Sequence, residues 1–147
     1  MTVAIGSDHA GYNLKEEIKK LLGEMQIKVQ DYGTDSPEPV DYPEISIQVA
    51  HSVSRSEGER GILICGSGIG MSIVANKIPG IRAALCFSEE SAKMSRSHNN
   101  ANILVMGGRF TETEVAKKMV KTFLNTEFET GGRHERRVIK IHELTGL

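Results

Sequence analysis

The sequence predicts an α/β fold, a three-layer α/β/α sandwich built around a five-stranded parallel sheet. Short, mostly apolar runs, often bounded by glycine, alternate along the chain with segments whose apolar residues recur at helical spacing. Continuous apolar runs of this kind are typical of parallel strands that helices cover on both faces. At 147 residues, the chain fits a single domain, residues 1–147, with enough length to bury a core.

Five strands and six helices are predicted. The strands cover residues 2–7, 27–32, 61–65, 81–87 and 103–106. The helices cover residues 13–25, 42–56, 70–78, 88–100, 111–125 and 134–144. Thr111 and Glu114 predict a capping box at the start of the fifth helix.

Composition excludes several classes of function. The formal net charge is −1, aromatic residues make up 5% of the chain, and Trp is absent. Such a chain sets up no field for nucleic acid or an anionic membrane, and it offers few rings for base stacking. No apolar run approaches the roughly 20 residues that span a bilayer, and the N-terminus does not resemble a signal peptide. We expect a cytoplasmic protein that binds neither nucleic acid nor membrane, with its two cysteines reduced.

Unusual residues follow four of the predicted strands. They are Asp8-His9, Asp41-Tyr42, Cys65-Gly66-Ser67-Gly68 and Gly107-Gly108-Arg109. Ligand sites of parallel α/β sheets lie at the carboxyl ends of the strands, so these residues predict a site there.

The loop CGSGIG, residues 65–70, carries the strongest chemical signal. Three glycines let the backbone turn sharply and approach a ligand closely. A helix follows at once, so free N–H groups favour an anion, a developing oxyanion or the thiolate of Cys65. Cys65 is then a candidate nucleophile or general base, and Ser67 could move a proton. Taken alone, the glycines are equally consistent with a tight strand-to-helix turn.

Two further polar segments have both a functional and a structural interpretation. His98 and Asn99, within SHNNAN, could exchange protons with a sugar oxygen or could simply end a helix. Arg133 and Arg137, within GGRHERR, share a helix face and suit a phosphate or carboxylate, to which Arg109 could add. A solvated basic helix start is the alternative.

Neither a metal site nor a dinucleotide site is indicated. His, Cys and acidic residues lack the spacing of metal motifs, so we expect no metal. The first strand is followed by GSDHAG, which carries a charge and an imidazole where dinucleotide phosphates need small residues.

Six segments stand in order between about residue 3 and residue 142: GSDHAGxxLK, VDYP, GILICGSGIGMSIxANK, GIRAAL, SHNNANILxxGGR and GGRHxRR. Together they closely resemble the RpiB family, the type B ribose-5-phosphate isomerases with their galactose-6-phosphate and allose-6-phosphate relatives. The resemblance implies a Rossmann-like fold and aldose–ketose isomerisation of ribose 5-phosphate to ribulose 5-phosphate, a reaction of the pentose phosphate pathway. It also implies a cis-enediolate intermediate and no metal or cofactor.

The resemblance also implies residue roles. Cys65 would move the proton between C1 and C2, Ser67 would help between O1 and O2, and His98 with Asp8 would open the sugar ring. Backbone N–H groups of the loop Gly66, Gly68, Ile69 and Gly70 would stabilise the enediolate. The remaining substrate-binding residues would be His9, Tyr42, Asn99, Arg109, Arg133, His134 and Arg137. Met71 stands where one branch of the family carries a carboxylate, which places this chain with the thiol-using branch.

Family members are dimers or dimers of dimers whose sites are built from two chains, so the helix at 134–144 is expected at a dimer interface.

Three alternatives remain open at this point. One is the same chemistry on a six-carbon sugar phosphate, such as allose or galactose 6-phosphate. The others are a non-catalytic module that binds sugar phosphates or nucleotides, and a thiol redox or cysteine-hydrolase enzyme.

Overall fold

The computed structural model describes all 147 residues. The five strands are β1 (Thr2–Ser7), β2 (Lys28–Asp31), β3 (Arg60–Cys65), β4 (Ala83–Leu85) and β5 (Ile103–Gly107). The six α-helices are α1 (Tyr12–Glu24), α2 (Tyr42–Ser54), α3 (Ile69–Ala75), α4 (Glu89–Ser97), α5 (Thr113–Asn125) and α6 (Arg133–Thr145). A short 3₁₀ turn, His9–Gly11, separates β1 from α1.

All strand pairs are parallel, and the sheet order is β2-β1-β3-β5-β4. The predicted α/β architecture is therefore confirmed, with every predicted strand and helix present. Boundaries differ by up to three residues, at the ends of α3 and α4, and the fourth strand pairs only from Ala83 to Leu85 instead of across residues 81–87. Strand β4 lies at the sheet edge and has one neighbour, so its flanking residues lack a second ladder to extend it.

Helices cover both faces of the sheet. One apolar cluster joins alternate residues of β1, β3 and β5, including Ile5, Ile62 and Leu104, to α1, α4 and α5. The other cluster joins the intervening strand residues, including Leu63 and Val105, to α2 and α3. Because successive strand residues point to opposite faces, one continuous apolar run supplies both clusters. This is the sandwich that the sequence predicts.

The capping box predicted at Thr111 is wrong. Helix α5 begins at Thr113 after Glu112, and no side chain caps it. Because the helix starts two residues later than expected, Glu114 lies in its first turn and cannot reach back to Thr111. A capping box does form at α4, where Ser88 and Ser91 hydrogen-bond each other's backbone N–H groups.

Helix α6 is the least integrated element. Its only buried residue is Val138, whereas Ile139, Ile141 and Leu144 are 51%, 44% and 84% exposed. An amphipathic helix with an uncovered apolar face needs a further partner to bury it.

Across the whole chain, none of the helices combines the length and apolar character that crossing a bilayer requires.

Candidate active site

Ten of the predicted site residues gather where β1, β3 and β5 end, and we name them the carboxyl-edge set. Its members are Asp8, His9, Tyr42, Cys65, Gly66, Ser67, Gly68, Ile69, Gly70 and Arg109. Cys65 ends β3 and is 4% exposed. Its Sγ accepts a hydrogen bond of 3.2 Å from the Gly68 N–H, and Ser67 Oγ accepts one of 3.2 Å from the Ile69 N–H. Backbone donors therefore already surround the thiol and the hydroxyl.

The glycines of this loop are required by close packing. Gly68 has a φ of 79°, in the left-handed region that favours glycine. A methyl group on Gly70 would lie 2.4 Å from Cζ of Tyr42, so the tyrosine ring lies directly on the loop. A methyl group on Gly66 would lie 3.1 Å from Nη1 of Arg109. The loop that begins at Cys65 is thus in contact with a phenol and a guanidinium.

Arg109 is tied to this loop through its backbone. The Gly108 N–H donates to the Cys65 carbonyl at 2.7 Å, and the Arg109 N–H donates to the Gly66 carbonyl at 3.0 Å. The guanidinium is exposed, and no carboxylate lies within 4.0 Å of it. Arg109 is therefore a fixed positive charge available to an anionic ligand.

Asp8 and His9 organise the turn after β1. Asp8 Oδ1 accepts hydrogen bonds from the N–H groups of Ala10 and Gly11, at 2.9 and 3.1 Å, so this carboxylate caps the 3₁₀ turn. His9 Nδ1 accepts from the Val40 N–H at 3.2 Å. In the neutral imidazole the proton then resides on Nε2, which remains free to donate to a ligand.

The other five predicted residues form an amino-edge set: His98, Asn99, Arg133, His134 and Arg137. His98 and Asn99 follow α4 and precede β5. Three residues after Asn99, the Asn102 carbonyl accepts a hydrogen bond from the Gly61 N–H, near the start of β3. They therefore lie where the strands begin. Asn100 completes the helix end with a φ of 48°, so the structural interpretation of this segment as a helix terminus also holds.

The rings of His98 and His134 stack, with centroids 4.1 Å apart and planes 4° from parallel. Partial burial lowers the pKa of His134, and the nearby His98 ring adds to this effect, while Glu129 opposes it. Arg133 and Arg137 extend from the first two turns of α6, and neither has a carboxylate within 4.0 Å. The set combines imidazoles with unpaired positive charge.

The two sets lie at opposite edges of the sheet. The register pairs Cys65 with Gly107 at one end of β5 and Gly61 with Ile103 at the other. Four residue steps of about 3.3 Å separate these ends by roughly 13 Å. Within one chain, His98 and Cys65 are therefore not brought together.

Sequence reasoning missed two residues that shape the amino-edge set. Arg96 is 2% exposed, and its guanidinium donates to Asn100 Oδ1 at 3.0 Å and to the Thr126 carbonyl at 3.2 Å. Glu129 lies 3.9 Å from His98 and 3.6 Å from His134. A sequence signal for Arg96 was available, because this arginine shares a helix face with the apolar Ala92 and charged residues are seldom buried without partners. Glu129 lies in a connection with no sequence pattern.

The geometry also bears on the thiol alternatives. Gly68, and not an imidazole, is the hydrogen-bond partner of Cys65, so the fixed Cys–His pair of a cysteine hydrolase is absent. Cys86 packs in the apolar cluster on the opposite face of the sheet from Cys65. Burial raises the pKa of the Cys86 thiol, which makes it inert. Neither thiol alternative is supported.

The fold and the strand-end residues define an α/β enzyme class with a buried thiol and an exposed guanidinium at one glycine-rich loop. The chain belongs to the Ribose/Galactose Isomerase family, whose model matches residues 3–141. It is 48% identical to ribose-5-phosphate isomerase B of Escherichia coli (strain K12), over 92% of this chain and 91% of that protein. Among solved structures, Clostridium thermocellum ribose-5-phosphate isomerase B has a TM-score of 0.97 and 51% identity, covering 99% of this chain and 98% of that chain. D-erythrulose-4-phosphate isomerase of Pectobacterium atrosepticum is 42% identical, over 90% and 88%.

Proposed function

We propose that this chain interconverts D-ribose 5-phosphate and D-ribulose 5-phosphate by proton transfer, as an enzyme of the pentose phosphate pathway in the cytoplasm. The observation that carries the proposal is Cys65, held among backbone N–H donors beside Arg109, in a chain whose relatives include ribose-5-phosphate isomerase B. Both cysteines are free, which fits a reducing compartment.

The proposed reaction needs a base next to an acidic carbon. In its thiolate form, Cys65 removes the proton from C2 of the open-chain aldose, and the electron pair of that C–H bond forms the enediolate double bond. The resulting thiol returns the proton to C1, which yields the ketose. Ser67 transfers the proton between O2 and O1, so the two oxygens exchange roles without net loss of a proton.

Backbone N–H groups stabilise the enediolate in this proposal. Those of Gly68 and Ile69 already point to Cys65 Sγ and Ser67 Oγ, whereas those of Gly66 and Ser67 donate to no acceptor in the chain. The unused donors are available to a developing oxyanion without prior rearrangement. The ring of Tyr42, 37% exposed, covers the loop and would limit the access of water.

A second copy of the chain completes the proposed site. His98 opens the sugar ring with the help of Asp8 of the facing chain, Asn99 holds the sugar oxygens, and His134 lines the site. Arg133 and Arg137 bind the substrate phosphate together with Arg109 and His9 of the facing chain. Because the amino-edge set lies where the strands begin and Cys65 lies where β3 ends, with roughly 13 Å of strand between these two ends, a partner must supply it. Exposed Ile69 and Ile73 beside the carboxyl-edge set, and the apolar face of α6, provide surface for such a dimer.

Mixing two inactive variants tests the shared site. Cys65→Ala and His98→Asn should each abolish turnover, because each removes one half of every site. After the two are unfolded, mixed and refolded, about half of the dimers are mixed, and each mixed dimer carries one intact site and one doubly altered site. We expect recovery to about a quarter of wild-type activity. No recovery, with mixed dimers present by native mass spectrometry, would contradict the shared site.

A substrate panel tests the reaction itself. Ribose 5-phosphate, allose 6-phosphate, galactose 6-phosphate and erythrulose 4-phosphate are compared by kcat/KM in a coupled assay, and the five-carbon sugar should give the highest value. Cys65→Ala should lose turnover while keeping its circular dichroism spectrum. Full activity in that variant would refute the role of the thiol, and binding of ribose 5-phosphate without turnover by the wild type would favour a non-catalytic module.

Adjacent arginines on α6 allow a matched test of phosphate binding. Arg137→Ala should raise KM roughly ten- to hundredfold, the loss expected for a charge-assisted hydrogen bond, with a smaller effect on kcat. Arg136→Ala is the control, because this side chain is rotated about 100° around the helix. Equal KM values for the two variants would contradict the assignment of Arg137.

A further inference from the structure

Three potential metal ligands converge at the amino edge of the sheet. One ligand atom from each of His98, Glu129 and His134 lies within 4.8 Å of the other two. Glu129 Oε1 lies 3.9 Å from His98 Nε2, and Glu129 Oε2 lies 3.6 Å from His134 Nε2. Both imidazoles thus direct the same nitrogen at one carboxylate. The three residues are 31 and 5 positions apart in the chain, a spacing that matches no compact metal motif and explains why the sequence does not reveal them.

We propose that His98, Glu129 and His134 bind a divalent transition-metal ion of the zinc type, and that the bound ion inhibits isomerisation. The inhibition rests on the proposed function, in which the imidazole of His98 opens the sugar ring. An imidazole whose Nε2 coordinates an ion cannot exchange a proton with the substrate at that nitrogen. Binding of the ion itself depends only on the three side chains.

The cluster needs small movements to close on an ion. Zinc takes nitrogen and oxygen ligands at about 2.0–2.2 Å in a tetrahedron, so its ligand atoms lie about 3.3 Å apart. From separations within 4.8 Å, each ligand atom has to move by roughly 1 Å. The imidazoles are 4° from parallel, so one ring must tilt to direct its lone pair at the ion. The His98 and Glu129 side chains are 32% and 59% exposed, which leaves room for this tilt.

The backbone of Glu129 is already held beside His98. The Glu129 N–H donates to the Ser97 carbonyl at 3.0 Å, which joins the α5–α6 connection to the end of α4 beside His98. Arg96 strengthens the same junction by donating to the Thr126 carbonyl. The ligands on α4 and on the connection are therefore positioned relative to each other before an ion binds, which reduces the entropic cost of binding.

The charge around the cluster has two opposing parts. A hollow of about 730 Å³ beside His98 is lined by Glu89, Glu90 and Glu129, with Lys93 as its only lysine or arginine. These carboxylates favour the approach of a cation. Arg133 and Arg137, which lie near His134, oppose this approach and lower the affinity for a cation.

The ligand chemistry selects the class of ion. Two imidazole nitrogens suit zinc, cobalt, nickel or copper, whereas magnesium and calcium require sets of oxygen ligands. We therefore expect zinc to inhibit and magnesium at the same concentration to have no effect.

Zinc titration of the metal-free enzyme against a chromophoric chelator tests the site without measuring activity. We expect one zinc ion per chain in the wild type. Glu129→Gln should weaken binding by at least about tenfold and raise the inhibitory zinc concentration by the same factor, when inhibition is expressed relative to the activity of the same variant in EDTA. Glu90→Gln is the matched control, since it removes a carboxylate of the same hollow that is not a ligand, and it should bind zinc like the wild type.

Cys65 is the competing zinc ligand, because thiolates bind this ion strongly. Cys65→Ala should still bind one zinc ion per chain, and the cobalt-substituted wild type should lack a thiolate charge-transfer band. Loss of binding in Cys65→Ala, or unchanged binding in Glu129→Gln, overturns the proposal. Turnover of ribose 5-phosphate by an enzyme that binds no zinc refutes the metal site alone. Zinc binding by an enzyme that does not isomerise ribose 5-phosphate supports the metal site and refutes the proposed function.

Discussion

Replacing Gly68 by alanine should damage both stability and catalysis. Gly68 has a φ of 79°, and an added methyl group would lie 2.5 Å from Leu85 Cδ1 and 3.0 Å from the Met106 carbonyl carbon. The Leu85 methyl can yield, but the Met106 backbone belongs to β5, which is paired with β3 at this residue, and cannot move without shifting the sheet. The loop that holds Cys65 must therefore move instead.

Gly80 provides a control with nearly the same backbone. Its φ is 81°, but a methyl group there would have Ser54 Oγ, 4.0 Å away, as its nearest neighbour. An alanine with a left-handed backbone lowers the free energy of unfolding by about 1–2 kcal/mol. The same alanine reduces the conformational entropy of the unfolded chain, which raises the free energy of unfolding by about 0.4–1 kcal/mol. Overpacking adds about 1–3 kcal/mol at Gly68 only. We therefore expect losses of roughly 1.5–4 kcal/mol for Gly68→Ala and roughly 0.5–1.5 kcal/mol for Gly80→Ala.

Urea unfolding and steady-state kinetics measure the two effects separately. For a chain of this size the larger loss corresponds to a fall in Tm of roughly 3–16 °C. The kcat of Gly68→Ala should fall, because the Gly68 N–H can no longer donate to Cys65 Sγ at 3.2 Å, whereas Gly80→Ala should keep the wild-type kcat. Equal losses of stability in the two variants, or an undiminished kcat in Gly68→Ala, would refute the reasoning.

Three further perturbations have defined outcomes. Gly23→Ala in α1 should stabilise the protein by about 0.5–1 kcal/mol in urea unfolding, because a methyl group there meets nothing within 4 Å; a loss would show strain. Partial burial raises the pKa of Asp31, but hydrogen bonds from Lys15 and Lys19 outweigh it and keep this pKa low. That stabilisation is complete above about pH 4 and is lost as the pH falls through the lowered pKa. Asp31→Asn should therefore reduce the loss of unfolding free energy at acid pH. An unchanged acid dependence would contradict the pairing. Because burial raises the pKa of Cys86, iodoacetate should alkylate Cys65 first, and peptide mass spectrometry should show protection by ribose 5-phosphate; preferential labelling of Cys86 would contradict this.

Local patterns predicted the elements well, because strand and helix formation depends mainly on neighbouring residues. Apolar runs and helical spacing identified all five strands and six helices. The errors occurred at element ends, such as the capping box expected at Thr111, where the start of α5 depends on how the chain leaves β5. The apolar run around Cys86, residues 81–87, favours burial of this residue, which is 2% exposed.

Motifs also predicted that the residues of the carboxyl-edge set follow strand ends, since the end of a parallel strand is recognisable from sequence and all such ends share one sheet edge. The contacts within that set were not predictable. The packing of Tyr42 on Gly70 and the bond from Gly68 to Cys65 join atoms whose separation depends on loop geometry. Glu129 had no signal at all, because its role arises only when α4 and α6 bring two imidazoles beside it.

By itself, the sequence determined the alternation of strands and helices, the reactive types of side chain and the end of β3 that carries Cys65. The tertiary structure decided the sheet order and the separation of the two sets. The reason is that strand pairing depends on contacts between distant residues, and the register then spaces residues along β5 by about 3.3 Å each. Cys65 and His98 therefore face opposite edges of one sheet, which makes a second chain the expected source of the missing half of the site.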